Sequence, residues 1–314
     1  MGVRYLQARA PDGALARAVD RQLRRDFGVA AEPVTLHRSC PEIFAGVWIA
    51  LRETLVVGSV SRRRKERIAT AISESNRCPY CVDAHRIMLS ATPAEDEVGG
   101  ADRESDWARA TSLPDSAILS SPPFGEGDGP ELRGTAFCFH YINRMVTILL
   151  DDSPLPFQGW IRKPIAFASR RYFARVLRRR PEPGDSLALL PPASIPRQLA
   201  WAGEGRVAAA LARFVRSIEG SAERTIDRQG RERVVAHLRT WLGSPPPLGG
   251  GWIDDALRGA DSPRARLALL AALAPHRVGG PEIAAARGSG VDGDLLATLS
   301  WGSLQAALRV AEWI

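Results

Sequence analysis

Lysine is almost absent from this 314-residue chain: only Lys65 and Lys163 occur, so nearly all of its 42 basic side chains are arginine. The net charge of +7 therefore reads as a compositional bias toward arginine rather than as a nucleic-acid footprint, because charge bears on partners only where it is clustered. The runs Arg170–Arg171 and Arg178–Arg180 read as solvated faces. Cysteine is scarce too, and four are too few to staple a secreted scaffold of this size. No long apolar run exists. Phe44–Gly58 is broken by Arg52 and Glu53, and Phe137–Leu150 by His140, Asn143 and Arg144. Neither supplies the roughly 20 clean residues of a membrane span. Met1–Asp20 carries Arg4, Arg9, Asp12 and Arg17 and lacks the apolar centre of a signal peptide. The expectation is a cytoplasmic protein without nucleic-acid or membrane partners, in a reducing compartment where paired cysteines are catalytic or metal-binding. Alternation of β-branched residues is missing as well, which argues against sheets.

What is present is helical periodicity. Phe44, Val47, Trp48, Leu51 and Leu55 recur at three- and four-residue spacing, with Pro41 placed for a first turn. A second helix runs through Ile68, Ala69, Ala71 and Ile72 to about Asn76, and a third from Cys78–Pro79 through Leu89. Residues 91–130 read as a long break rich in Pro, Gly, Asp and Ser, with local helix possible inside it. Helix resumes over Phe137–Leu150 and from about Ile161 to Arg180. Residues 181–196, with Pro181, Pro183, Pro191, Pro192 and Pro196, read as a linker between residues 1–180 and a helical lobe at 197–314. In that lobe the helices are expected at Arg197–Ser217, Arg231–Leu242, Arg264–Leu273 and Asp294–Trp313. The fold class is all-α, in two lobes.

The chemistry concentrates between Glu66 and His85. Cys78-Pro79-Tyr80-Cys81 opens a helix, and His85 follows Cys81 by four residues. With Pro79 as the first helical residue, Cys78 lies at the N-cap and Cys81 in the first turn, where unpaired N–H groups and the helix dipole favour a thiolate. His85 falls one turn beyond Cys81 and can take or relay its proton. Cys78 is near enough to trap an oxidised Cys81 as a disulfide. Glu66 can orient the imidazole if its helix packs alongside. Such a site suits a thiol peroxidase, in which a thiolate cleaves an O–O bond and a second thiol resolves the sulfenic acid.

Glu66, eleven residues, Cys-x-x-Cys, three residues, His85 resembles the active-site motif of the AhpD-like alkylhydroperoxidase and carboxymuconolactone decarboxylase superfamily, most closely its CxxC-containing peroxidase branch. The resemblance implies Cys81 as peroxidatic thiolate, Cys78 as resolving thiol, and His85 and Glu66 as the proton relay. Some members carry a second His between the cysteines, where this chain has Tyr80, so the relay or the preferred oxidant differs in detail. It further implies a small hydroperoxide substrate and no haem, flavin or metal. The reductant would be an external dithiol or a thioredoxin- or lipoyl-type protein, and the enzyme a homo-oligomer. Phe139–Val146 resembles a later helix of two-lobed members, and Tyr80, His140, Asn143 and Arg144 are candidates for a substrate pocket, the last three alternatively for a structural network. The last lobe can be aligned as a worn copy of the fold, Arg67-Ile-Ala against Arg266-Leu-Ala, with none of the reactive residues retained. Three other readings stand beside the peroxidase: a disulfide oxidoreductase on the same fold, a redox sensor, and a zinc-stabilised module with Cys78, Cys81, His85 and a fourth ligand from Cys40, Cys138 or His140. Cys40 and Cys138 otherwise read as ordinary buried thiols.

Overall fold

Capping chemistry decides where many of the helices begin. The carboxylate of Asp12 accepts from Gly13 N–H and opens α1 (Gly13–Asp26), and the Ser61 hydroxyl accepts from Arg64 N–H and opens α4 (Arg62–Ser75). Proline stands in the first turn of α2 (Glu32–Thr35), α3 (Pro41–Leu51) and α5 (Pro79–Ala91), where its missing N–H costs nothing. In this computed structural model, which describes residues 3–93, 101–154, 162–260 and 262–314, the remaining regular elements are also helices. α4 spans Arg62–Ser75, α6 Ala101–Ala110, α7 Ala117–Ser120, α8 Gly129–Leu149 and α9 Arg162–Val176. Then come α10 (Arg206–Thr225), α11 (Arg228–Thr240), α12 (Gly251–Ala256), α13 (Pro263–Leu273), α14 (Gly280–Arg287) and α15 (Asp292–Ala311). No strand occurs among the described residues, so the all-α expectation holds. None of their helices is long and apolar enough to cross a membrane.

The organising element is α8, with 18 of its 21 residues buried. One side packs on α4 and α5, which carry the cysteine motif, and another on α15 and α10. Tyr141 and Phe137 of α8 meet Phe214 of α10 edge-to-face, at 5.0 and 6.0 Å between ring centres. Helices from either side of the Pro-rich segment 181–196 thus share one hydrophobic core. α13 lies so close on α15 that a Cβ on Gly302 would meet the Ala268 carbonyl oxygen at 2.0 Å. The pair α13–α14 follows the order of α4–α5: Ser262 caps α13 as Ser61 caps α4, the two helices pack together, and a long buried helix follows.

Buried charge fastens α3 to its surroundings. The helix ends in a π turn, Arg52–Val56, whose Arg52 and Glu53 are fully buried. Arg52 pairs with Asp26 of α1 at 2.7 Å and with Glu53 at 2.6 Å. Glu53 also accepts from Gly184 N–H and the Ser186 hydroxyl at 2.9 and 2.6 Å. These contacts satisfy both carboxylate oxygens, as a buried charge requires.

Several boundaries differ from expectation. α1 goes unnoticed in the sequence because its apolar stripe is only Ala16, Val19 and Leu23 between charged residues. The 91–130 break contains α6 and α7. α6 is polar except around the fully buried Trp107 and Ala108, and Glu104 ties it to Arg64 and Arg67 of α4. α8 starts eight residues before Phe137, and Arg197–Ala202 is a short 3-10 turn preceding α10 rather than its first turns.

Candidate active site

The α4–α5 connection is three residues long. Arg77 takes a left-handed conformation, φ +53°, and the Cys78 N–H donates to the Ser73 carbonyl at 3.0 Å. This tight reversal lays α5 back along α4. Cys78 is the N-cap of α5, Pro79 its first residue, and Cys81 sits in its first turn. The packing brings Glu66, one turn into α4, against His85. Glu66 Oε2 lies 2.6 Å from His85 Nδ1, and Glu66 Oε1 accepts from Arg62 Nε at 2.6 Å. Glu66 is wholly buried. Burial alone would raise its pKa, but the positive Arg62 and the His85 ring outweigh it and hold the carboxyl below its usual range. Phe139 of α8 closes on the His85 ring edge-to-face at 4.6 Å. The imidazole is thereby fixed between a carboxylate and an aromatic wall, with Nε2 as its second nitrogen.

The two sulfurs are 2.8 Å apart and not bonded. The hydrogen bond between the two sulfurs holds the Cys78 thiol below its usual pKa, against the effect of burial, while burial and the neighbouring sulfur push Cys81 well above. Of the two thiols, Cys78 therefore loses its proton more readily than Cys81. That order corrects the expectation that the helix terminus would favour a thiolate on Cys81: the helix end is present, but complete burial dominates there.

Cys81, Tyr80 and His85 all line a cavity of about 310 Å³ whose walls are mostly carbon, including Trp48, Leu55, Phe139 and Ile142. Tyr80 donates its hydroxyl to Glu32 at 2.9 Å, so it belongs to the wall as a neutral phenol, and burial raises its pKa further. The candidates on α8 are not in this cavity. His140 Nε2 lies 2.8 Å from the Thr111 hydroxyl, Ser73 donates to Asn143 Oδ1 at 3.2 Å, and Arg144 donates to the carbonyls of Ala272 and His140. These three form a buried network joining α8 to α4, α6 and α13. It is the adjoining face of the same helix, through Phe139 and Ile142, that reaches the reactive site. The residues proposed as a fourth zinc ligand do not converge on it either. Cys138 bonds to Thr54 and Cys40 to Ser221, and among the described residues no group of three or more His, Cys, Asp or Glu is arranged to hold a metal ion.

Arg62 and Glu32 escape sequence reading. Arg62 lies in the charged run Arg62–Arg67, where its i, i+4 relation to Glu66 was the available signal. Glu32 lies on a four-residue helix far from the motif and carries no such signal.

Residues 42–98 match the carboxymuconolactone decarboxylase family. A Mycobacterium tuberculosis protein named alkyl hydroperoxide reductase is 35% identical to this chain, over 99% of the chain and 95% of its own length.

Proposed function

The chain belongs to the carboxymuconolactone decarboxylase family, and on that premise we propose that it is a thiol-dependent hydroperoxide reductase working through Cys81, Cys78, His85 and Glu66. One observation carries the reading: Cys81 and His85 face a single apolar cavity, while Cys78 stands behind Cys81 at 2.8 Å and outside that lining. A hydroperoxide entering the cavity therefore meets Cys81 first. The near full-length likeness to a protein named for this activity supports the same reading.

The reaction follows from the geometry. Cys81 gives up its proton to His85, and its thiolate attacks the outer peroxide oxygen. The S–O bond forms as the O–O bond breaks, and the alkoxide leaves as an alcohol with a proton delivered by His85. Glu66, kept ionised by Arg62, stabilises the imidazolium between these transfers. Cys78 then attacks the Cys81 sulfenic sulfur, so that an S–S bond forms, the S–O bond breaks and water departs. Disulfide closure requires a contraction from 2.8 Å to about 2.05 Å, a small side-chain movement. An external dithiol, of a small-molecule or thioredoxin- or lipoyl-type protein kind, returns two electrons and two protons. No haem, flavin or metal takes part in this scheme. A homo-oligomeric, cytoplasmic enzyme is part of the same proposal.

Consumption of cumene hydroperoxide under excess dithiol tests it. Cys81→Ser is expected to abolish turnover, and equal rates for this variant and the unsubstituted protein would refute the proposal.

A further inference from the structure

Met88 stands between the reactive cavity and a second void. Cys81, Ala84, His85 and Met88 lie on one face of α5, at successive turns, and all four line the cavity. Met88, Phe27 and Val56 also line a narrow neck of about 30 Å³, which Arg62 and Arg179 border. The neck in turn shares Val56, Arg62, Leu177, Arg179 and Pro181 with a wider mouth of about 530 Å³. The apolar cavity thus adjoins, through side chains shared by the neck, a chamber walled by Arg62, Arg63, Arg179 and Arg180, with the hydroxyls of Ser59 and Ser61 beside them. Glu182 is the acidic side chain of that wall, and Asp26 at the neck is already paired with Arg25 and Arg52.

We propose that this mouth binds the carboxylate of a long-chain carboxylic acid hydroperoxide, whose apolar chain runs through the neck and presents a mid-chain peroxide to Cys81. The inference rests on the peroxidase reading and names its substrate class. Three features support it. The mouth gathers four arginines, the side chain best matched to a carboxylate. Arg62 spends only Nε on Glu66, and its buried Nη2 has no hydrogen-bond partner among the described residues. Length also fits. Seven residues separate Cys81 from Met88, so the neck begins roughly 10 Å along the helix from the reacting sulfur. A short peroxide such as hydrogen peroxide bridges nothing over that span, whereas an acyl chain fills it with carbon against carbon. The redox balance is the one given above, and the product is the corresponding hydroxy acid.

The test uses the full chain and two independent readouts. In the first, linoleic acid and its methyl ester are titrated against the protein by quenching of tryptophan fluorescence. The acid is expected to bind at least about tenfold more tightly than the ester, with the difference shrinking in high salt. Replacing the exposed Arg179 and Arg180 together (Arg179→Gln with Arg180→Gln) is expected to remove most of that preference. In the second, the hydroperoxides of linoleic acid and of its methyl ester are compared as substrates with cumene hydroperoxide, and the acid is expected to show the lowest KM. Equal binding of acid and ester, or a preference unchanged in the double variant, would overturn the carboxylate mouth and leave the peroxidase reading standing. Failure to consume any hydroperoxide, with acid binding intact, would overturn the peroxidase reading and the substrate assignment with it.

Discussion

Replacing Glu66 by Gln puts the relay under the most direct strain. Gln keeps the shape and can still accept from His85 Nδ1–H, but it removes the negative charge from a wholly buried position 2.6 Å from both His85 and Arg62. A hydrogen bond to a charged group contributes about 1.5–3 kcal/mol, which at 1.36 kcal/mol per decade is roughly a 10- to 150-fold loss in kcat/KM. The loss falls on the steps that require an imidazolium, because that is the state the carboxylate stabilises. The substitution also strands Arg62, whose side chain is 13% exposed, so some loss of stability is expected alongside. Glu66→Asp separates the two effects: it keeps the charge for Arg62 but is one methylene too short to hold both partners. The assay is hydroperoxide consumption under saturating dithiol, with thermal unfolding of each variant measured in parallel. A folded Glu66→Gln protein with an unaltered kcat/KM would refute the relay.

Two further outcomes concern the scaffold. His37 and His140 are fully buried, and burial depresses each from 6.5 to about 3. Between those values the unfolded chain binds protons that the folded chain does not, so stability is complete above about pH 6.5 and declines as pH falls toward 3. Each histidine is expected to remove about 2 kcal/mol by pH 5, and a thermal midpoint independent of pH from 7 to 5 would contradict this. Gly302→Ala drives a Cβ onto the Ala268 carbonyl, a backbone atom that cannot turn aside. We expect a destabilisation of about 1–3 kcal/mol, read from the denaturant midpoint, with an unshifted midpoint as the refuting result.

The sequence discloses the reactive end of this molecule far better than its frame. Cys78, Cys81, His85 and Glu66 are legible because one short turn and two adjacent helices bring them together, so spacing along the chain translates almost directly into distance. Helix registers such as α3, α5 and α13 are legible for the same reason, through Pro in the first turn and a broad apolar face. α1 and α6 are not, since narrow apolar stripes in charged segments give little periodicity. His140, Asn143 and Arg144 share a helix face as expected, but only tertiary packing decides that this face meets Thr111, Ser73 and Ala272 while Phe139 and Ile142 meet the cavity. The proton order within the cysteine pair is the subtlest loss. Helix position predicts a thiolate on Cys81, and burial, which spacing does not reveal, reverses it.

That reversal sets proton affinity against access to the cavity, and identifying the first sulfur oxidised decides between them. One equivalent of cumene hydroperoxide is added to Cys78→Ser and, separately, to Cys81→Ser, and the sulfenic acid is trapped and located by peptide mass spectrometry. The account predicts an adduct on Cys81 in Cys78→Ser and none on Cys78 in Cys81→Ser. An adduct on Cys78 with Cys81 left unmodified would contradict it.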